Sequence, residues 1–320
     1  MTKIKKWTAL LATVSGMAAL MMTVQTAAGS VLNVTATGTT FDHDSSYSAV
    51  NVSGQGALTV NGTGVVYSGT RINLESDFPY TSGVHAINGG EVIITGGTIR
   101  TSAIGSGARV VGGTMRLVGM DIITESVSSR GLNVNQGCMK VEQVSITTTG
   151  SGAFGAVSGN SGTLTVRNSI IKTTMASALV SDSDGHLEAD NVTCIRNQDD
   201  GINSTIAYVR INSTMNIRGG SFMADNGDLF GSFGSGSNQL TLRDVQASGS
   251  RALIVQGTNT TLVMLHNSAL TGNVAVSEST TTTLNLNTST LIGDIIANDD
   301  AVLTVNLDNA SELTGKIDPV

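Results

Sequence analysis

One pattern recurs down almost the whole chain, and it limits the available folds more than any other feature. In Leu164-Thr165-Val166-Arg167-Asn168-Ser169-Ile170-Ile171 it reads apolar, polar, apolar, polar, turn residue, two variable positions, apolar. Copies aligned on the first apolar residue begin at Leu58, Val92, Met115, Met139, Leu164, Leu187, Met215, Leu240, Leu262, Leu284 and Val305. After the first interval of 34, from Leu58 to Val92, the spacing settles to between 21 and 28 residues. Self-similarity at such a period marks a repeat architecture.

The second column of the repeat is Val60, Ile94, Leu117, Val141, Val166, Ala189, Ile217, Leu242, Met264, Leu286 and Leu307, and every member is apolar. In a chain that is 40% hydrophobic, a run of this kind has odds of roughly one in twenty thousand by chance. The intervening positions are mostly polar, with Ile93 and Val263 as exceptions. This alternation is the period of a strand with one buried face. The fifth column is Gly62, Gly96, Gly119, Gln143, Asn168, Asn191, Gly219, Asp244, His266, Thr288 and Asn309. Gly, Asn and Asp dominate it, and these residues tolerate the positive φ of a sharp turn. A second short strand follows, with Val65, Ile99, Ile122, Ile146, Ile171, Cys194, Phe222, Ala247, Ala269, Leu291 and Leu313 as its apolar positions.

A unit of about 23 residues made only of short strands and turns cannot bury its apolar face alone. Stacking solves this, because each strand then pairs with its equivalent one coil on and the inward residues merge into one core. The expected fold is all-β: a single-stranded right-handed parallel β-helix of about 11 coils, on the order of 50 Å long at the inter-strand spacing. The leucine-rich pattern, the hexapeptide period and the calcium-binding nonapeptide are absent, so no calcium ladder is expected. The long first interval predicts a loop near Asp77-Phe78-Pro79-Tyr80.

Residues 1–28 read as a secretory signal peptide. Lys3, Lys5 and Lys6 precede an uncharged apolar run from Trp7 to Val24, and Thr26-Ala27-Ala28-Gly29 supplies small residues for cleavage after Ala28. As a membrane anchor the run is marginal, at about 18 residues diluted by Thr, Ser and Gly. Residues 29–320 form one β-helix domain with no linker. Cleavage removes three of the 17 basic residues and none of the 24 acidic ones, leaving a net charge of −10. A long acidic rod does not neutralise phosphates, so nucleic acid is not an expected partner. The two prolines fit paired strands, which exclude proline.

Cys138 and Cys194 are the only cysteines. An oxidising export route raises the question of a disulfide. Cys138 precedes an anchor and points outward, whereas Cys194 is in an inward column two coils on, about 10 Å away. That is beyond disulfide reach, so both are expected as free thiols.

The C-terminal third carries a further motif. It appears as Asn267-Ser268-Ala269-Leu270-Thr271-Gly272-Asn273-Val274, Asn287-Thr288-Ser289-Thr290-Leu291-Ile292-Gly293-Asp294-Ile295 and Asn309-Ala310-Ser311-Glu312-Leu313-Thr314-Gly315-Lys316-Ile317. These segments resemble the Asn-Ser-x-(Trp or Leu)-x-Gly-x-(Ile or Val) coil element of Gram-negative autotransporter passenger domains, the group that includes pertactin-like and AIDA-type adhesins. Gly-Gly-Thr-Ile at 96–99 and Gly-Gly-Thr-Met at 112–115 are similar to the same coils, so the resemblance spans nearly the whole mature chain. It implies export through the signal peptide and its machinery, a cell-surface or secreted location, and an outer-membrane barrel after the passenger. The sequence reads no barrel strands before Val320. The expectation is therefore a severed or differently exported passenger, periplasmic if truncated.

Enzymatic chemistry has one hint, the acidic clusters Asp182-Ser183-Asp184-Gly185-His186, Asp199-Asp200-Gly201 and Asp225-Asn226-Gly227-Asp228. Right-handed β-helices include polysaccharide hydrolases and lyases that use aspartates on neighbouring coils. Asp-Asp-Gly followed by Val209-Arg210-Ile211 is weakly similar to the polygalacturonase pattern, but Gly-His-Gly is missing and His186 precedes the Asp pair. Turns need Asp, Asn and Gly, and that reading is preferred. His43, His85, His186 and His266 show no ligand spacing, and the serines form no nucleophile elbow. Aromatics make up only 3% of the chain, and Phe222, Phe230 and Phe233 are expected to fill one wide coil. No catalytic residue, metal or cofactor is assigned. The expected function is non-enzymatic: adhesion or self-association through repeated polar contacts, with a host surface or another copy as partner. The alternative is an exported polysaccharide-acting enzyme using the Asp182–Asp200 region.

Overall fold

The computed structural model describes the backbone of residues 31–319 outside the segments 35–38, 42–44, 48, 53–57, 62–65, 70–71, 77–81, 103, 198–204, 225–226 and 278. Side chains are described at Leu58 and across 82–318 outside those segments. The signal segment 1–28 and the loop at Asp77–Tyr80 lie outside the described residues.

The described chain is all-β, a parallel solenoid of about 10 turns. A regular coil has three strands, as in Leu179–Asp182, His186–Asp190 and Thr193–Arg196. The next coil repeats them as Thr205–Arg210, Thr214–Arg218 and Ser221–Ala224. Each strand pairs in parallel with its successor: Leu179 with Ala207, Leu187 with Met215, Cys194 with Phe222. Three stacked sheets result, called here the first, second and third in the order the chain enters them. Their inward side chains fuse into one core running along the axis.

The second and third sheets follow the pattern in the sequence. Val92, Met115, Met139, Leu164, Leu187, Met215 and Leu240 stack in register and are all buried. Two assignments are corrected. Leu240 pairs with Val263, not Leu262, and Val263 with Leu284. Val263 and Leu265 are therefore the buried pair, while Leu262 and Met264 face outward and are only half-buried. In Leu262-Val263-Met264-Leu265 both parities are apolar, so alternation alone does not select the inward face. The same one-residue shift makes Leu270 the inward residue of the third sheet, and Ala269 is exposed. Leu58 is the second correction. It pairs with Val84 in the first sheet, whereas Val92 pairs with Tyr67, so the interval of 34 disappears.

The first sheet has no counterpart among the columns read from the sequence. Its inward column runs Leu58, Val84, Ala108, Leu132, Ala156, Leu179, Ala207, Phe230, Leu253, Val274 and Ile295. Three alanines weaken the apolar signal, and apolar outward neighbours such as Val157, Val180 and Ile254 erase the alternation. Gly131 marks a close approach on this sheet. A Cβ on it would stand 2.4 Å from Cγ2 of Ile146 and 2.5 Å from the Gly155 carbonyl oxygen.

The turn column performs as its composition suggests as far as Thr288, whereas Asn309 lies in a turn without positive φ and Gly62 lies outside the described residues. Gly119, Gln143, Asn168, Asn191, Gly219, Asp244, Asn267 and Thr288 all have positive φ. Asn267 replaces His266 in that role, following the register shift. The turns stack as the strands do: the Asn168 N–H donates to the Asp190 carbonyl at 3.0 Å and the Asn191 N–H to that of Arg218 at 2.8 Å. Side chains add a rung, with Asn191 Nδ2 donating to Asn168 Oδ1 at 3.0 Å.

The C-terminal motif acquires a physical reading. The serine after the turn is buried, and its hydroxyl donates to the carbonyl two residues back: Ser268 to His266 at 2.9 Å, Ser289 to Asn287 at 2.8 Å. The same oxygen accepts the N–H of the preceding coil, which would otherwise be orphaned. Ser268 accepts from Val245, Ser289 from Ser268, and Ser311 from Ser289. The Leu of the motif points inward at Leu270 and Leu291. Its Gly supplies the stacked corner of Gly272, Gly293 and Gly315, all at positive φ. Its Val or Ile is the inward residue of the first sheet, at Val274 and Ile295.

Candidate interaction surfaces

The acidic residues of the described clusters are held by the coil geometry. Asp182 stands opposite Arg210 on the next coil, which donates through Nε at 2.9 Å and Nη2 at 2.6 Å. Asp228 and Arg251 form the same bidentate pair at 2.7 and 2.8 Å. Asp184 occupies a turn at φ +61°. Asp199, Asp200, Asp225 and Asn226 lie outside the described residues. His186 sits between Thr214 Oγ1 at 2.7 Å and Glu188 Oε1 at 3.2 Å. No group of three or more His, Cys, Asp or Glu able to hold a metal occurs among the described residues. No helix there is long and apolar enough to cross a membrane.

The outer face of the second sheet carries a groove along the rod axis. Two adjoining hollows of about 450 and about 280 Å³ share Thr165, Arg167 and Glu188. One outward column runs Arg116, Lys140, Thr165, Glu188, Asn216, Thr241, so the groove spans six coils. The column two residues on runs Glu142, Arg167, Asp190, Arg218, Arg243, alternating in charge until its last step. Arg116 beside Lys140, and Arg218 beside Arg243, are like charges directly opposite one another, an arrangement that costs stability.

The outer face of the first sheet is less regular. Its outward column is His85, Arg109, Asn133, Val157, Val180, Tyr208, each one coil from the next. Val157, Val180 and Tyr208 form an apolar cluster separate from the core, with Phe154 and Phe233 packed against it. Tyr208 meets Phe154 edge-on at 6.3 Å and Phe233 at 5.4 Å between ring centroids. Phe233 is therefore not core filler; the core pair is Phe222 and Phe230, 5.3 Å apart. Burial pushes the Tyr208 phenol up to about 12. Burial also lowers Arg130 from its ordinary value, with Tyr208, Arg109, Asp182 and Arg210 all within electrostatic reach.

Several polar groups on this face have no hydrogen-bond partner in the structure: His85 Nε2, Arg109 Nε and Asn133 Oδ1 are buried and unmatched. Asn133 itself is 4% exposed. Burial, then the charge of Arg109, lowers His85 from 6.5 to about 4, so its imidazole is neutral at pH 7. These residues are 24 apart in sequence, and only the first-sheet register joins them. Aligning the chain on that register would reveal the column.

No family model, curated protein or solved structure matches this chain.

Proposed function

We propose that this chain is a non-enzymatic, exported passenger of the autotransporter type, which works by contact along its outer faces in adhesion or self-association at a Gram-negative cell surface. The groove on the second sheet carries the reading. It is long and lined by stacked side chains of both charges, a shape suited to an extended partner. Affinity on such a surface accumulates over many weak contacts. Two further observations support it. The Ser, Leu, Gly and Val or Ile positions of the Asn-Ser-x-Leu-x-Gly-x-Ile element each have a stacking role, and Asp182 and Asp228 are engaged by Arg210 and Arg251.

The test is expression of the full chain in a non-adherent Gram-negative host, with protease accessibility on intact cells reporting location. Cells carrying the wild-type chain should clump or attach, and Arg167→Glu with Arg218→Glu should remove most of that gain without loss of exported protein. If exposed wild-type rods give neither clumping nor attachment, the reading fails. Release of reducing ends or unsaturated products from acidic polysaccharides by the purified chain, lost in Asp182→Asn, would replace it with the enzymatic one.

A further inference from the structure

The first sheet's outer face holds a second site of different chemistry. Arg109 and Arg130 are half-buried. Among the described residues neither has an ion pair or a side-chain hydrogen bond, whereas Arg210 is engaged by Asp182. A guanidinium half withdrawn from water without a hydrogen-bonded acceptor is costly and is normally matched, and Asp182, already paired with Arg210, acts on Arg130 only at a distance. Arg109 lies one coil from His85 on one side and from Asn133 on the other. Arg130 is three residues before Asn133 on the strand Arg130–Glu142. Gly131 and Leu132, between them, are both buried. Arg130 and Asn133 therefore flank an inward-facing pair.

What would satisfy all of these groups at once? Two planar forks call for an oxyanion, which guanidinium binds through paired hydrogen bonds. Asn133 Oδ1 is an acceptor and calls for a donor, which an oxyanion cannot supply. His85 Nε2 is unpartnered as well. A molecule carrying a carboxylate or sulfate together with hydroxyl groups meets each demand. We propose that Arg109, Arg130, Asn133 and His85 form a binding site for an acidic saccharide, the arginines holding its anionic group and Asn133 and His85, whose buried atoms the ligand must uncover as it seats, its hydroxyls. This goes beyond the adhesive reading, uses a different face, and stands or falls in solution without cells.

The experiment is calorimetric titration of the purified chain with tri-galacturonate, a sulfated chondroitin tetrasaccharide, maltotriose and sodium sulfate. Saturable binding is expected for at least one acidic saccharide and none for maltotriose. Arg109→Gln and Arg130→Gln should each weaken it about tenfold or more, the loss of a charge-assisted contact. Arg100→Gln, which breaks an exposed pair with Glu125 elsewhere, should leave it unchanged. The melting temperature gives an independent readout. Removing an unpaired, half-buried cation should hold or raise it, whereas loss of a structural contact would lower it. Arg109→Lys, which keeps the charge and loses the fork, covers failure of the glutamine variants to fold and should also weaken binding. The proposal is overturned if neither acidic saccharide binds, if sulfate alone binds as tightly, or if the arginine variants bind like the wild type.

Discussion

Ser268 and Ser289 stand one coil apart, and the Ser289 hydroxyl accepts the backbone N–H of Ser268 at 3.1 Å while donating to the Asn287 carbonyl at 2.8 Å. Both serines are buried. One side chain thus closes its own turn and satisfies a donor of the neighbouring coil. Ser289→Ala should leave that N–H unmatched and cost about 1–3 kcal/mol. Urea unfolding followed by circular dichroism would register the loss as a lower midpoint. An unchanged midpoint would mean that water reaches the turn.

The glycine corners separate two kinds of constraint. Gly119 has φ +62°, and a Cβ placed on it would meet nothing within 4 Å. Gly119→Ala should therefore cost only the left-handed backbone term, about 1 kcal/mol. Gly293 has φ +150°, and its Cβ would meet the Gly272 carbonyl oxygen at 2.3 Å. Gly293→Ala should cost about 3 kcal/mol or more, because the coils must separate. Comparing the two unfolding midpoints tests the distinction.

The two thiols should behave differently. Both cysteines are free; Cys194 is fully buried and Cys138 half-exposed. Burial pushes the Cys194 thiol well above its ordinary range, so it offers almost no thiolate. A maleimide should label Cys138 alone in the native protein and both cysteines in denaturant, read by intact mass. Native labelling of Cys194 would mean that the third sheet opens locally.

His85 should make the rod sensitive to acid. Its folded pKa, about 4, lies below the ordinary 6.5 because burial and Arg109 disfavour the imidazolium. The unfolded chain therefore binds more protons between these values. The contribution of His85 to stability is complete above about pH 6.5 and is lost as pH falls towards 4. His85→Gln should flatten that part of the stability profile, measured as urea midpoints across the window. An identical slope in the variant would place the acid sensitivity elsewhere.

The second and third sheets are legible in the sequence because their inward columns are large and regular, from Val92 to Leu240 and from Ile99 to Phe222. Where both strand faces are apolar, at Leu262–Leu265, the register read from the sequence slips by one residue and carries Ala269 and His266 with it. The first sheet stays hidden for the opposite reasons, small alanines inside and apolar side chains outside. Its Arg109–Arg130–Asn133 site cannot be seen without it.

By itself the sequence determined the repeat, the strand and turn alternation, and so a stack of coils, because a short unit with one apolar face has no other way to bury it. Only the tertiary structure decided the register at the ambiguous segments and which distant side chains share a face. A one-residue slip turns every side chain over, and the choice between registers rests on packing against the coils above and below, beyond any local pattern.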